Sequence, residues 1–384
     1  MAFTPSEAVQ RIARFSQRPP MRRQPGVIAL TAGDPDFDTP DYIRRALIEA
    51  IEAGYTHYAD GQGDPELRAA LAEQLSRQAG AAYAPEQIQV THGGSGALAA
   101  SILAVVNPGD RVLLPEPTYS LYGDLVSFAG GQPVYVRQTA DFRLDPDALR
   151  AAAPGAKLAI LCHPCNPTGA VYTRAELEAF AAVAAEHDLL VLSDEAYDHL
   201  VYDGVEFVST LAIEALRDRL IYCQTFSKTY AMTGWRVGYV AAPQPIAAAA
   251  ARVHRTFNGT MNAAVQRAAL AAITTPSDWP ERMRREYQAR REMVLEYMAG
   301  APGVEVRPPE GAFYAFVRCD TAPSSMAVVQ AALERGVGIR SGAEYGPSGE
   351  GYVRLAYSTA REPLQEALLR LRDVFTDFAT QGKN

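Results

Sequence analysis

The chain has 384 residues, 48% apolar and 21% charged, which suits a folded globular protein of about two domains and excludes disordered, collagen-like or coiled-coil chains. Its formal charge is −8, with Lys and Arg scattered among acidic residues, which argues against a nucleic-acid partner. No apolar run approaches the roughly 20 residues of a membrane helix, residues 1–15 lack a signal-peptide pattern, and Cys162, Cys165, Cys223 and Cys319 are too few for a disulfide framework. The expectation is a cytoplasmic protein.

In chain order, the first clear helix signal is Asp64-Pro65, a capping acid followed by a proline suited to the first helical position. From 88 to 241, short apolar runs alternate with helical patterns. The runs cover 88–90, 111–114, 133–136, 157–161, 189–192, 220–224 and 237–241. Several are apolar throughout, as strands covered on both faces are. They predict an α/β fold with a mostly parallel seven-stranded sheet covered by helices. Asp145-Pro146 and the capping box Thr173-Arg-Ala-Glu176 start helices where crossovers belong. Past 245 come Ala- and Arg-rich helical patterns over about 246–272 and 278–299. Short strands follow at 303–306, 312–317, 337–339 and 352–358, with helices near 324–335 and 363–380. This predicts a smaller α+β domain behind a linking helix.

Four motifs directly follow predicted strands. They are Gly93-Gly-Ser-Gly96, Asn166-Pro-Thr-Gly169, Ser193-Asp-Glu-Ala-Tyr197 and the segment from Thr225 through Ser227 and Lys228 to Arg236. Singly, each has a plain reading as a turn, a helix cap or an exposed lysine. Together they should converge on one sheet edge, where α/β folds bind ligands. The apolar setting of Lys228 favours a low-pKa, nucleophilic amine. Thr225, Ser227 and Arg236 suit a phosphate, and the Gly-rich helix start is a second anion site. A lysine, a carboxylate, neutral donors and a phosphate cradle are what pyridoxal 5′-phosphate needs.

On these motifs and their spacing, the chain resembles a class I/II aminotransferase of pyridoxal-phosphate fold type I, in the aspartate-aminotransferase-like group, from about Gly33 to the C-terminal strand. The resemblance implies a large cofactor-binding domain over 45–285 and a small domain from 1–44 with 286–384. It implies catalytic roles for Lys228, as the Schiff-base lysine and proton shuttle, for Asp194, as partner of the pyridine nitrogen, and for Tyr197. Asn166 and Tyr197 would bond the phenolic oxygen, while Gly94, Ser95, Thr225, Ser227 and Arg236 would hold the phosphate. Tyr119 would stack on the ring, and Tyr58 would reach the phosphate of a neighbouring subunit, making the active unit a homodimer with shared sites. Arg354, Gly33, Asn166 and Phe313 would contact substrate.

The implied reaction is ping-pong transfer of an amino group between an L-amino acid and a 2-oxo acid. A lyase or cyclase on the same scaffold is the alternative. A non-enzymatic cofactor-sensing domain is more distant, because only about thirty residues precede Gly33, too few for a helix-turn-helix module. The sequence departs from the family wording at Ser95, where some relatives specific for acidic substrates carry a cation, at Asn258-Gly-Thr-Met-Asn262 and at Arg340-Ser341. Substrate preference is therefore open; Arg255 reads first as an ordinary surface arginine, with reading the substrate side chain as the alternative that ungapped counting to Gln266 offers, and the same question is open for Arg340. Cys162-His-Pro-Cys165 is read as two small residues filling a turn, rather than a redox pair or zinc site.

Overall fold

The computed structural model describes residues 3–15 and 25–381. Its main sheet holds β1 (Ile88–Thr91), β2 (Arg111–Glu116), β3 (Gln132–Arg137), β4 (Ala156–Cys162), β5 (Leu190–Asp194), β6 (Leu220–Thr225) and β7 (Gly238–Ala241). The spatial order is β1-β7-β6-β5-β4-β2-β3. Only β7 runs against its neighbours, while the other pairings are parallel. Each apolar run in the sequence is thus a strand of one sheet. β1 and β6 are buried along their whole length; β6 is apolar from Leu220 to Cys223, whereas β1 buries Gln89 and Thr91 in alternation with Ile88 and Val90. β3, at the edge, is partly exposed.

The capping signals act as their chemistry dictates. Asp64 accepts from the backbone N–H groups of Glu66 and Leu67, and Asp145 from those of Asp147 and Ala148. Thr173 and Glu176 close a reciprocal capping box.

A second sheet contains β8 (Val304–Val306), β9 (Tyr314–Cys319), β10 (Arg340–Ser341) and β11 (Tyr352–Ala356). It is antiparallel, in the order β10-β11-β9-β8. Each sheet anchors its own apolar cluster, the smaller one built on Tyr287, Phe313, Val353, Leu355 and Leu368.

Three expectations differ from what is observed. The helix expected over about 246–272 is two helices, Gln244–Asn258 and Ala263–Thr274, separated at Gly259, whose φ of 68° with ψ of −139° is accessible essentially to glycine alone. The strand expected at 337–339 is only Val337–Gly338, and it pairs in parallel with Ile28–Ala29, a two-residue strand too short to leave a pattern. The helix Glu7–Phe15, expected with the smaller unit, instead packs against the helix Leu121–Ala129 of the main sheet. There the Arg11 side chain donates to the Ser127 carbonyl at 2.9 Å, the favoured place for a cation at a helix C-terminus.

Candidate active site

Because β1, β4, β5 and β6 are mutually parallel, their C-terminal ends open on one edge of the sheet. The four motifs meet there around a cavity of about 470 Å³. Every expected site residue except Tyr58 and Phe313 lines it.

One end is built for an anion. The helix Gly93–Val105 starts here, and His92 at its N-cap position offers no side-chain cap, so the first backbone N–H groups face the cavity without a capping acceptor. Gly93 has φ of +68°, and a Cβ on it would stand 2.5 Å from Arg236 Nη2; only glycine lets the two approach. Arg236 is itself left-handed, with φ of 55°, an uncommon state for a side-chain-bearing residue. Its guanidinium donates to the Thr233 carbonyl at 2.9 Å and is otherwise exposed. The Thr225 and Ser227 hydroxyls are 2.8 Å apart.

The centre carries the acid–base groups. Asp194 accepts from the Tyr122 hydroxyl at 2.8 Å and from the Ala196 N–H at 3.3 Å. Burial raises its pKa, against these two bonds and the nearby Lys228 charge. Burial lowers Lys228 from the ordinary lysine value to about 8, with Asp34 opposing and Arg236 adding to the shift. The Lys228 amine donates to the Gly33 carbonyl. Tyr197 and Tyr314 share a hydroxyl–hydroxyl hydrogen bond of 2.8 Å, and burial holds the Tyr197 phenol well above its usual range.

The far wall is cationic. Arg354, 4% exposed, donates from Nη1 to Asn166 Oδ1 at 3.1 Å and from Nη2 to the Thr31 carbonyl. Its Nε has no acceptor among the described residues, although a buried guanidinium N–H ordinarily has one. The rings of Tyr314 and Tyr345 flank it, with centroids 4.3 and 5.1 Å from its Cζ. Gly33 lies so close to this wall that a Cβ on it would stand 1.9 Å from the Tyr314 hydroxyl.

Phe313 requires a correction. It is fully buried and stacked edge-on behind Tyr197, and it is Tyr314 that lines the cavity. Phe313 still lies 5.7 Å from the Lys228 amine, which sits over its ring. Tyr58 is 94% exposed and borders a separate concavity with His57 and His92. Arg255 is exposed on its helix beside Gly61, outside the cavity, whereas Arg340 lines it together with Glu344.

Tyr122, Asp34, Tyr314 and Glu344 were not assigned from sequence. Asp34 and Tyr314 directly follow the expected site residues Gly33 and Phe313 and could have been read there; Tyr122 and Glu344 carry no local signal. Cys162 and Cys165 are buried free thiols. Cys162 Sγ accepts from the Asn166 N–H at 3.3 Å, so the pair shapes the turn that presents Asn166. Among the described residues, no group of three His, Cys, Asp or Glu side chains could hold a metal.

This fold and cavity are those of an aminotransferase, and the chain belongs to the family Aminotransferase class I and II, whose description matches residues 25–371. It is 40% identical over 362 residues to an aspartate aminotransferase of Pyrococcus abyssi, covering 91% of this chain and 92% of that one. It is 38% identical over 352 residues to an arginine–pyruvate transaminase of Pseudomonas aeruginosa, covering 90% and 89%. The crystal structure of an aromatic aminotransferase from Pyrococcus horikoshii superposes with a TM-score of 0.90 at 37% identity, covering 96% of this chain and 99% of that one.

Proposed function

We propose that the cavity binds pyridoxal 5′-phosphate and that the enzyme moves an amino group between an L-amino acid and a 2-oxo acid, in two half-reactions sharing one site. The observation that carries this is a lysine amine with a pKa near 8 in one cavity with a buried carboxylate, an anion cradle and a buried arginine with an orphaned N–H. When bound, the cofactor supplies an aldehyde that condenses with amines and a ring that withdraws electrons from the reacting carbon.

The residues fit that group. Gly94, Ser95, Thr225, Ser227 and Arg236 hold the phosphate. Asp194 would pair with the ring nitrogen and favour its protonated form, whose charge would offset the desolvation that raises the acid's pKa. Asn166 and Tyr197 would donate to the phenolic oxygen, and Tyr119, which also lines the cavity, would stack on the ring. Arg354 takes the substrate α-carboxylate with Nε and a second N–H as a fork. Lys228 would take the proton from the substrate Cα and deliver it to the aldehyde-derived carbon of the cofactor, so that Cα can leave as the carbonyl carbon of a 2-oxo acid. Such general acid–base transfer contributes roughly 10²–10⁴-fold, and the rest comes from orientation and the cofactor.

In this reading residues 45–285 carry the cofactor and the remainder carries Arg354. Tyr58 completes the phosphate site of a second copy, so the working unit is a homodimer. No helix among the described residues is long and apolar enough to cross a membrane, and the four free thiols suit the reducing cytoplasm.

Lys228→Ala, reconstituted with the cofactor, is expected to lose turnover and the long-wavelength absorbance of the bound cofactor together. Retention of both would sink the assignment. With amino acids and 2-oxoglutarate, the wild-type chain should release a 2-oxo acid without free ammonia.

A further inference from the structure

The cavity holds a charged pair to which the chemistry above gives no task. Arg340 on β10 and Arg354 on β11 are direct cross-strand partners, so their side chains leave the same face of the sheet, and both enter the cavity. Both reach one acceptor: the Thr31 carbonyl takes Arg354 Nη2 and, at 3.5 Å, Arg340 Nε. Two guanidinium groups therefore stand side by side where a single α-carboxylate needs one.

Beside them, Arg340 Nη1 donates to Glu344 Oε2 at 3.1 Å, with the two side chains only 11% and 5% exposed. The short turn Gly342–Tyr345, started by the Ser341 hydroxyl accepting from the Ala343 N–H, carries Glu344 back under Arg340. Arg340 Nη2 has no recorded partner among the described residues. A half-used fork next to the α-carboxylate arginine, neutralised by the chain's own carboxylate, is poorly explained as a stabilising contact, since buried ion pairs contribute little net stability.

We propose that Arg340 is a specificity-determining residue that takes the side-chain carboxylate of a dicarboxylic substrate, and that Glu344 is its internal counter-ion. This rests on the reading that Arg354 holds the α-carboxylate. Two half-reactions must pass different side chains through one cavity. With a neutral side chain the Arg340–Glu344 pair stays closed, so no unpaired charge is left desolvated. With an acidic side chain, Arg340 offers its remaining edge, and the planar fork gives directional bonds that a neutral side chain cannot match. Glu344, of the same sign as the incoming carboxylate, weakens that binding and keeps the preference for acidic substrates moderate.

The test compares kcat/KM for dicarboxylic 2-oxo acids (2-oxoglutarate, oxaloacetate) and neutral ones (pyruvate, phenylpyruvate) in the holoenzyme. Arg340→Gln should lower the dicarboxylic-to-neutral ratio roughly 10- to 100-fold, the range for a lost hydrogen bond to a charged group. Arg340→Lys, which keeps the charge without the fork, should fall in between, and Glu344→Gln should raise the ratio several-fold. Arg340→Gln and Arg340→Lys both leaving the ratio unchanged would overturn the proposal. So would a Glu344→Gln variant that keeps the ratio and loses activity on lysine and arginine, because Glu344 would then be reading cations. Cofactor absorbance is recorded for every variant. Its absence in the wild-type chain counts against the cofactor reading, whereas normal absorbance with unmoved ratios counts against Arg340 alone.

Discussion

Tyr122 shows how a group outside every motif governs one inside them. It reaches across 72 residues of sequence to donate to Asp194 Oδ2, stabilising the charged carboxylate against the burial that raises its pKa. Tyr122→Phe leaves only the Ala196 N–H bond, so the pKa should rise further. The acidic limb of kcat/KM against pH is therefore expected to move up, and an unmoved limb would show that Asp194 does not depend on this hydroxyl. That Lys228, Asp194, Asn166 and Arg236 would meet at one sheet edge was legible in the sequence, because each follows a strand in a distinctive local wording. Tyr122 was not, since only the folded sheet brings it to Asp194. Phe313 was misplaced for a related reason. Ala312 is left-handed, with φ of 59°, and this local turn just before β9 accompanies the presentation of Tyr314, one residue on, to the cavity.

Among the elements, the end of β5 is fastened by Glu195, the carboxylate next to Asp194. Glu195, fully buried, accepts from the Ser193, Ser209 and Thr210 hydroxyls and the Thr210 N–H, at 3.2, 2.7, 2.6 and 2.8 Å. These bonds tie the turn Thr210–Ala212 to the strand that presents Asp194. Burial raises Glu195 to about 7, above its ordinary unfolded value. The folded chain then binds more protons than the unfolded one between about pH 4.5 and 7, so this group's contribution to stability falls as pH rises through that window. The fall amounts to about 3 kcal/mol. Urea midpoints should show it as a drop in the wild type, relative to Glu195→Gln, between those pH values; parallel curves would disprove it. The strands were readable because a buried parallel sheet writes itself as uninterrupted apolar runs. The break at Gly259 and the pairing of Ile28–Ala29 with Val337–Gly338 were not readable. One depends on a single backbone angle, and the other on a partner some three hundred residues away.

At the scale of the whole molecule, two apolar clusters set one sheet's arginines against the other sheet's lysine and carboxylate, and Tyr58 is left 94% exposed and apart from its own chain's cavity. If Tyr58 serves the neighbouring copy, Tyr58→Ala should weaken cofactor binding. Mixed dimers of Tyr58→Ala with Lys228→Ala should then recover turnover, because one of their two sites regains both groups. No recovery on mixing would place Tyr58's role within its own chain. The sequence pointed to two units from its length and from the change of pattern past residue 245, but it did not show where the segment after Leu30 would hydrogen-bond. There the Thr31 carbonyl accepts from Arg354 and Arg340, the Ala32 carbonyl from the Ser358 hydroxyl and the Gly33 carbonyl from Lys228. Under the proposed function, the backbone thus acts as an internal competitor for these cations. Entry is an exchange of acceptors, so net affinity is a difference between two sets of bonds. The same carbonyls stand ready to take the cations back when product departs, which favours rapid release over tight retention.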